Sequence, residues 1–100
     1  MKAKYAYPAI FNKNDKGYFV SFPDIRPCFT EGSTLEEAVV MAKGVLEGRI
    51  EIALEDGETL PVPSDINSLC GDHVMLIVAA IKNTERHTPL AWRFYHHLVG

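Results

Sequence analysis

The longest unbroken apolar run in the chain extends from Val74 to Ile81. Its eight residues are far fewer than the roughly 20 that a helix needs to cross a bilayer. The run is also short for a globular helix, and its β-branched side chains are typical of a strand buried on both faces. We therefore expect residues 73–82 to form a strand in the middle of a sheet, and we expect no membrane-spanning segment.

The clearest helix signal begins at Thr34. Thr34 and Glu37 have the spacing of a capping box, in which each side chain accepts a hydrogen bond from a free backbone N–H of the first turn. Apolar residues then recur at spacings of three and four as far as Gly57, a residue suited to a left-handed cap. Gly44 and Gly48 lie within this helix, which we expect to rest on a sheet; a second helix docked in a small-residue groove is the alternative. The stripe consists of Leu35, Ala38, Val39, Ala42, Val45, Leu46, Arg49, Ile50 and Ala53.

Three shorter strands are predicted before this helix. Residues 2–11 are rich in aromatic and β-favouring side chains, and Pro8, which has no N–H, indicates that this strand lies at a sheet edge or carries a bulge. The Asn, Asp and Gly residues of 12–17 favour a hairpin turn, which leads into a second strand over 18–22. Residues 28–30 are predicted to form a short third strand after a proline-containing loop.

These elements predict an α+β domain: a three-stranded antiparallel meander, one long helix and a further strand (β-β-β-α-β), with a short C-terminal element. A chain of 100 residues, 47% of them apolar, can form one core without metal or disulfide. We assign residues 1–82 to the domain and 83–100 to an extension, in which Pro89 precedes several large apolar residues. Because these side chains need a surface to cover them, we expect the extension to dock on the domain or on a second subunit.

Charge and cysteine content limit the partners and the compartment. A formal net charge of −3 at pH 7 opposes extensive binding to phosphate backbones and favours a basic partner protein. Cys28 and Cys70 fit no repeated spacing, and the N-terminus has no secretory signal pattern. We therefore expect a cytoplasmic protein with both thiols reduced; a disulfide between them is the alternative.

Basic and aromatic residues alternate near the N-terminus, which raises the question of nucleic-acid binding. Such a pattern can stack single-stranded RNA. The simpler interpretation is that the aromatics form a core or interface face and that the lysines protect a sheet edge from aggregation. No pair of adjacent amphipathic helices is predicted, so DNA binding by this chain alone is not expected. The residues are Lys2, Lys4, Lys13 and Lys16 with Tyr5, Tyr7 and Phe11.

No catalytic or metal-binding constellation is predicted. The thirteen carboxylates are mostly explained by caps, turns and solvent-facing helix positions. A cysteine nucleophile would need an imidazole nearby, and a small buried thiol is the simpler interpretation. On a helix, His96 and His97 point about 100° apart, so they do not form a same-face metal pair; His73 or His87 would have to contribute to any such site. We therefore expect no enzyme activity, no metal and no cofactor.

Four sequence motifs occur in order along the chain: Tyr7-Pro8-Ala9, Gly17-Tyr18-Phe19-Val20-Ser21-Phe22-Pro23-Asp24, Cys28-Phe29-Thr30-Glu31-Gly32-Ser33-Thr34-Leu35-Glu36-Glu37-Ala38, and a Pro-x-Pro-Ser loop within 57–64. Over residues 5–82 this combination resembles the HicB family of bacterial antitoxins. The resemblance implies a partial ribonuclease H-like fold without hydrolytic activity, and a homodimer or homotetramer. It also implies a partner toxin, HicA, a small basic protein that cleaves mRNA and that HicB-like domains neutralise by covering its active surface.

The chain departs from the family pattern in two places. Ile25-Arg26-Pro27-Cys28 replaces the Leu-Pro-Gly-Cys sequence found in many members, so this loop turns without that glycine. Only eighteen residues follow Lys82, too few for the helix-turn-helix or ribbon-helix-helix segment with which many members bind DNA. Repression by this chain alone is therefore not expected.

Five residues are candidates for contact with the toxin: Tyr7, Phe22, Asp24, Phe29 and Glu31. The two acids would meet Lys or Arg side chains of the toxin, and the three aromatics would make apolar contacts, through a sheet edge and the loop 23–31. The alternative is local, with Asp24 as a turn former and the aromatics as core. The expected function is therefore an antitoxin. A solitary oligomeric scaffold or ligand-binding domain and a weak metal-dependent nuclease are the alternatives.

Overall fold

The computed structural model describes residues 2–82, which form a four-stranded antiparallel sheet and one α-helix. The strand order in the sheet is β3-β2-β1-β4, and a 3₁₀ turn at Ile66–Ser68 interrupts the connection from the helix to the last strand. This architecture confirms the predicted α+β class and its β-β-β-α-β order. The extension predicted for 83–100 lies outside the described residues. The elements are β1 (Lys2–Asn14), β2 (Gly17–Ser21), β3 (Phe29–Gly32), α1 (Leu35–Glu55) and β4 (His73–Lys82).

Local sequence signals fix both ends of α1. The N–H of Glu37 donates to the Thr34 hydroxyl over 3.1 Å, and the Glu37 carboxylate accepts a 2.6 Å hydrogen bond from the N–H of Ser33. The predicted capping box is therefore present, although Glu37 binds the N–H one residue before the cap. At the other end Gly57 adopts φ of 75°, and the N–H of Glu58 donates to the carbonyl of Ala53 over 2.8 Å. The left-handed backbone conformation of Gly57 ends the helix as predicted.

The helix packs on one side of the sheet, which we call the covered face. The helix buries one small or branched side chain on each successive turn there, and the strands contribute every second residue. Two alanines on the helix, Ala38 and Ala42, allow it to lie close to the strands. The buried residues of the two layers are Ala38, Ala42, Leu46 and Ile50 from α1 and Tyr7, Ala9, Phe11, Val20, Ile77, Ala79 and Ile81 from the strands.

The opposite side of the sheet, which we call the open face, carries no helix among residues 2–82. Its middle is nonetheless not exposed. Pro8 on β1 is fully buried, and Gly71 lies so close to Ile10 that a Cβ on Gly71 would sit 2.5 Å from the Ile10 Cγ2 atom. The exposed apolar side chains of this face therefore fall into two separate groups, one on β2 and β3 and one on β4.

The prediction that residues 73–82 form a central strand was wrong, because β4 lies at an edge of the sheet. Ile77, Ala79 and Ile81 are buried on the covered face, whereas Leu76 and Val78 are 53% and 45% exposed on the open face. The apolar run is therefore covered on one side only by residues 2–82. At the outer edge of β4, the Glu47 carboxylate accepts a 3.0 Å hydrogen bond from the N–H of Ala80.

The prediction that β1 lies at an edge or carries a bulge at Pro8 was wrong for the strand as a whole, although β1 is unpaired on its β2 side at Pro8 itself. β1 lies between β2 and β4, and its register with β4 runs without a break from Lys2 to Phe11. The N–H of Ala80 points away from β1, so Ala80 and its partner Lys4 form a non-hydrogen-bonded pair. The even-numbered residues of β1, which include Pro8, therefore direct their backbone groups toward the β2 side. The pairing with β2 covers Ile10 to Asn14, so it stops two residues short of Pro8. The missing N–H of Pro8 therefore removes no hydrogen bond from either ladder.

The first hairpin is tighter than predicted. β1 continues to Asn14 and pairs with Gly17, so only Asp15 and Lys16 form the turn. Gly17 has φ of 137°, a backbone conformation that L side chains rarely adopt. The third strand is also displaced from the predicted 28–30 and occupies Phe29–Gly32.

Candidate protein-binding surface

Two exposed phenylalanines form the first group on the open face. Phe19 on β2 is 40% exposed and Phe29 on β3 is 59% exposed. Their ring centroids are 5.9 Å apart at an interplanar angle of 30°. In the strand register Phe19 pairs with Glu31, and Phe29 pairs with Ser21, so all four side chains lie on the same face. We call Phe19, Phe29 and Glu31 the aromatic patch.

Glu31 connects the aromatic patch to a neighbouring hollow that is mainly acidic. Glu31 also lines a hollow of about 380 Å³ with Asp15, Lys16 and Glu37. The hydrogen bond from the N–H of Ser33 holds the pKa of the Glu37 carboxyl below its usual range, so this group stays ionised. Glu31 therefore joins the aromatic patch to a hollow that is lined by three carboxylates, its own included, and one ammonium group. Such a combination suits a partner that presents cationic side chains around an apolar centre.

Tyr7 and Asp24 hold the connection that follows the helix against the rest of the domain. The Tyr7 hydroxyl donates to the carbonyl of Pro61 over 2.6 Å. The Asp24 carboxylate accepts hydrogen bonds from the N–H of Ser64, at 2.9 Å, and from the Ser64 hydroxyl. Burial, followed by the nearby Asp24 carboxylate, raises the pKa of Tyr7, so its hydroxyl remains protonated as a donor. The Tyr-Pro-Ala, Phe-Pro-Asp and Pro-x-Pro-Ser motifs thus meet at one structural contact.

The structure places the five predicted contact residues in two different environments. Phe29 and Glu31 are exposed side by side on β3. Tyr7 and Phe22 are only 3% and 1% exposed and belong to the core, which is the alternative that the sequence left open for the aromatics. Asp24 is half-buried and bound to Ser64. The surface available to a partner therefore contains two of the five.

Sequence reasoning missed Phe19 and the two exposed residues of β4. Phe19 alternates with Tyr18 and Val20, which indicates that it faces the other side of its strand. That alternation was visible in the sequence, but which of the two faces the helix would cover was not. Leu76 and Val78 were hidden within an apolar run that carries no polar residue to mark a solvent-facing side.

The described residues provide little for catalysis. Cys28 is buried and Cys70 is exposed, and both are free thiols. Burial raises the pKa of Cys28, with partial opposition from Arg49, so this thiol is a poor nucleophile. Within residues 2–82 no three His, Cys, Asp or Glu side chains come together as metal ligands, and no helix there is long and apolar enough to span a bilayer. His87, His96 and His97 lie outside this part of the chain.

Comparison with known proteins identifies the class to which this fold and surface belong. Residues 7–83 match the model of the HicB-like antitoxin of bacterial toxin-antitoxin systems. This match extends over most of the chain, and it confirms the resemblance carried by the four sequence motifs. The chain belongs to the HicB-like antitoxin family.

Individual relatives agree with this assignment. Antitoxin HicB 1 of Photorhabdus laumondii is 43% identical over 61 residues, which are 60% of this chain and 39% of the relative. A HicA3 and HicB3 toxin-antitoxin complex contains a chain with a TM-score of 0.59 and 27% identity, covering 79% of this chain and 100% of that one. A toxin-antitoxin complex from Streptococcus pneumoniae has a TM-score of 0.67 at 24% identity, over 96% and 89% of the two chains, and shows the shared fold. The matching residues span less than half the length of the curated HicB antitoxins of Photorhabdus laumondii and Escherichia coli.

Proposed function

We propose that this protein is an antitoxin that neutralises a HicA-type mRNA-cleaving toxin by covering the toxin's active surface. In this proposal the chain breaks no bond itself, acts in the cytoplasm and works as a homodimer or homotetramer. The observation that carries the proposal is the aromatic patch, an exposed phenylalanine pair beside the Glu31 carboxylate, on a sheet face that carries no helix among residues 2–82. Membership of the antitoxin family supports it, as does the likeness to a chain solved in a HicA3 and HicB3 complex.

A protein that occupies the RNA-binding surface of an RNA-cleaving partner would inhibit it, and the chemistry of that surface suits the aromatic patch. A protein that binds RNA presents Lys and Arg side chains to the phosphates and flat apolar or aromatic groups to the bases. Glu31 offers a carboxylate to those cations, and Phe19 and Phe29 offer apolar rings beside it. A partner bound to the aromatic patch would have its own RNA-binding groups occupied. An interface of standard size buries about 800 Å² on each partner, which requires contacts beyond this patch.

The proposal predicts that a gene for a HicA-type toxin lies next to this gene, and it is tested with that toxin. Isothermal titration of the two purified proteins measures their affinity, and growth after co-expression measures neutralisation. We expect Phe29→Ala and Glu31→Lys each to weaken binding about tenfold or more, because exposed aromatic and charged residues at an interface centre contribute most to affinity. Each variant is expected to retain the helix and sheet signature of the wild-type protein by circular dichroism.

Two variants on other surfaces serve as matched controls. Val62→Ala removes an apolar side chain that is 87% exposed in the connection after α1, and Glu51→Lys reverses an exposed charge on the helix. Both are expected to bind the toxin with the wild-type affinity. Equal affinities for the patch variants and the controls would contradict the proposed surface. Failure of the wild-type protein to bind the toxin or restore growth would contradict the antitoxin proposal and favour a solitary scaffold.

A further inference from the structure

The outer edge of β4 lacks the features that usually protect a sheet edge. Among residues 2–82 no strand lies beyond β4, and its register with β1 runs without a bulge over all ten residues of the strand. Residues 74–81 include no charged side chain and no proline. Natural edge strands are normally short, bulged, charged or interrupted by proline, because an exposed ladder pairs with other chains. An edge this long, regular and apolar is therefore a site for strand pairing.

The opposite edge of the same sheet differs in these respects. β3 has only four residues, and one of them is the charged Glu31. The loop that leads into β3 contains Pro27, which has no N–H to offer a ladder. Only a short ladder can form there. β4 is therefore the edge of this sheet at which an extended ladder can form with another strand.

The hydrogen bond between Ala80 and Glu47 shows which backbone groups of β4 face outward. The N–H of Ala80 points away from β1 and donates to the Glu47 carboxylate over 3.0 Å. Because this direction alternates along an antiparallel strand, the backbone groups of Val74, Leu76 and Val78 also point outward. Glu47 occupies the edge at Ala80, so the open part ends before it. An incoming strand can therefore pair from Val74 to Val78, with Leu76 at the centre.

We propose that β4 pairs antiparallel with β4 of a second copy of this chain, with Leu76 opposite Leu76 of the partner subunit. In this register Val74 lies opposite Val78 of the partner subunit, and the three pairs exchange about six backbone hydrogen bonds. The open part of the edge is thus complementary to itself. It carries no charge that would attract a basic toxin, which suits the aromatic patch instead. The inference rests on the homo-oligomer of the proposed function and assigns its interface.

This pairing also covers apolar side chains that a single chain leaves exposed. Leu76 and Val78 are 53% and 45% exposed on the open face. Across the new ladder each of them meets an apolar side chain of the second copy, and directly opposite side chains on one face lie about 4.5–5.5 Å apart at Cβ and stabilise a sheet. The aromatic patch is on β2 and β3, at the far side of the sheet. It therefore stays accessible to the toxin in the dimer.

Opposite charges at position 76 test the register, because this residue would meet its own copy. Leu76→Lys and Leu76→Glu each place like charges opposite each other, and each is expected to weaken self-association about tenfold or more in sedimentation equilibrium. An equimolar mixture of the two variants is expected to associate about tenfold or more tightly than either alone. The matched control is Val40→Lys, which alters a side chain that is 69% exposed on α1 and should leave self-association unchanged.

Hydrogen exchange of the wild-type protein keeps the proposal testable if both charge variants fail to fold. The N–H groups of Val74, Leu76 and Val78 are expected to exchange slowly in the dimer and faster on dilution to the monomer. Those of Met75 and Ile77 point toward β1 and are the internal control, with slow exchange in both states. A wild-type protein that sediments as a monomer at all concentrations would overturn the proposal, whatever the exchange rates.

Two further outcomes would contradict this interface. One is an oligomer that neither charge variant weakens, and the other is a mixture of the variants that associates no better than each alone. The toxin titration separates this inference from the antitoxin proposal. A chain that dimerises through β4 but does not bind the toxin would contradict the antitoxin proposal alone. A chain that binds the toxin but does not pair through β4 would contradict this inference alone.

Discussion

The two faces of the sheet are built from similar side chains but are used differently. On the covered face, Phe11, Val20 and Phe22 are packed beneath α1 and are at most 1% exposed. On the open face, Phe19 and Phe29 are at least 40% exposed, although they come from the same or neighbouring strands. Burial of an aromatic side chain stabilises the fold. An exposed aromatic pair contributes little to stability and is available to a partner. Under the proposed function, stability and partner binding therefore belong to opposite sides of one sheet.

Truncation of one phenylalanine on each face is expected to give the largest difference in the free energy of unfolding. Phe22→Ala removes a fully buried side chain and should lower the free energy of unfolding by about 3–5 kcal/mol. Phe29→Ala removes a side chain that is 59% exposed and should cost less than about 1 kcal/mol. Urea denaturation of both variants and the wild type measures the two values. Equal losses of stability would break the distinction between the faces.

A smaller loss is expected when the contact between Asp24 and Ser64 is removed. Asp24→Ala leaves the Ser64 N–H and hydroxyl without their acceptor and should cost about 1–3 kcal/mol. Ser64→Ala removes the hydroxyl bond alone and should cost less. The double variant should cost less than the sum of the two, because both substitutions remove part of one contact. Additive losses in urea denaturation would show that Asp24 stabilises the domain in another way.

The smallest expected effect on stability comes from the carboxylate of Glu37. Its pKa is lowered in the folded chain because the N–H of Ser33 donates to it. A lowered pKa stabilises the folded state above the pKa that the group has in the unfolded chain, and this contribution disappears as pH falls through the folded value. The stability difference between wild type and Glu37→Gln should therefore narrow as the solution is acidified. Urea denaturation at several acidic pH values measures it, with Glu36→Gln as the control, and a constant difference would contradict the assignment.

Local signals in the sequence predicted more of the fold than of the surface. Thr34, Glu37 and Gly57 act within one or two turns of backbone, so both ends of α1 were predictable. The positions of β1 and β4 in the sheet depend on pairing between residues more than sixty positions apart, about which proline content and apolar runs carry little information. Pro8 indicated an edge because its missing N–H was expected to interrupt a ladder. The ladder ends before it reaches that position.

For the candidate surface too, local sequence signals predicted part of the arrangement and tertiary structure decided the rest. The alternation of residues 18–22 separates Phe19 from Phe22. Which of the two is buried depends on the face that α1 covers, and this is a property of the tertiary structure. Tyr7 and Asp24 belong to family motifs and were predicted as partner contacts, yet both bind the connection after α1. A motif residue can therefore be retained for a contact inside the domain.

Backbone hydrogen exchange of this protein, alone and with the HicA-type toxin that we propose as its partner, tests most directly whether the open face is the binding face. The account predicts that the toxin slows exchange in β2 and β3 around Phe19, Phe29 and Glu31, and that it leaves the exposed side of α1 around Gly44 and Gly48 unchanged. Slower exchange along α1 with no change in β2 and β3 would contradict it.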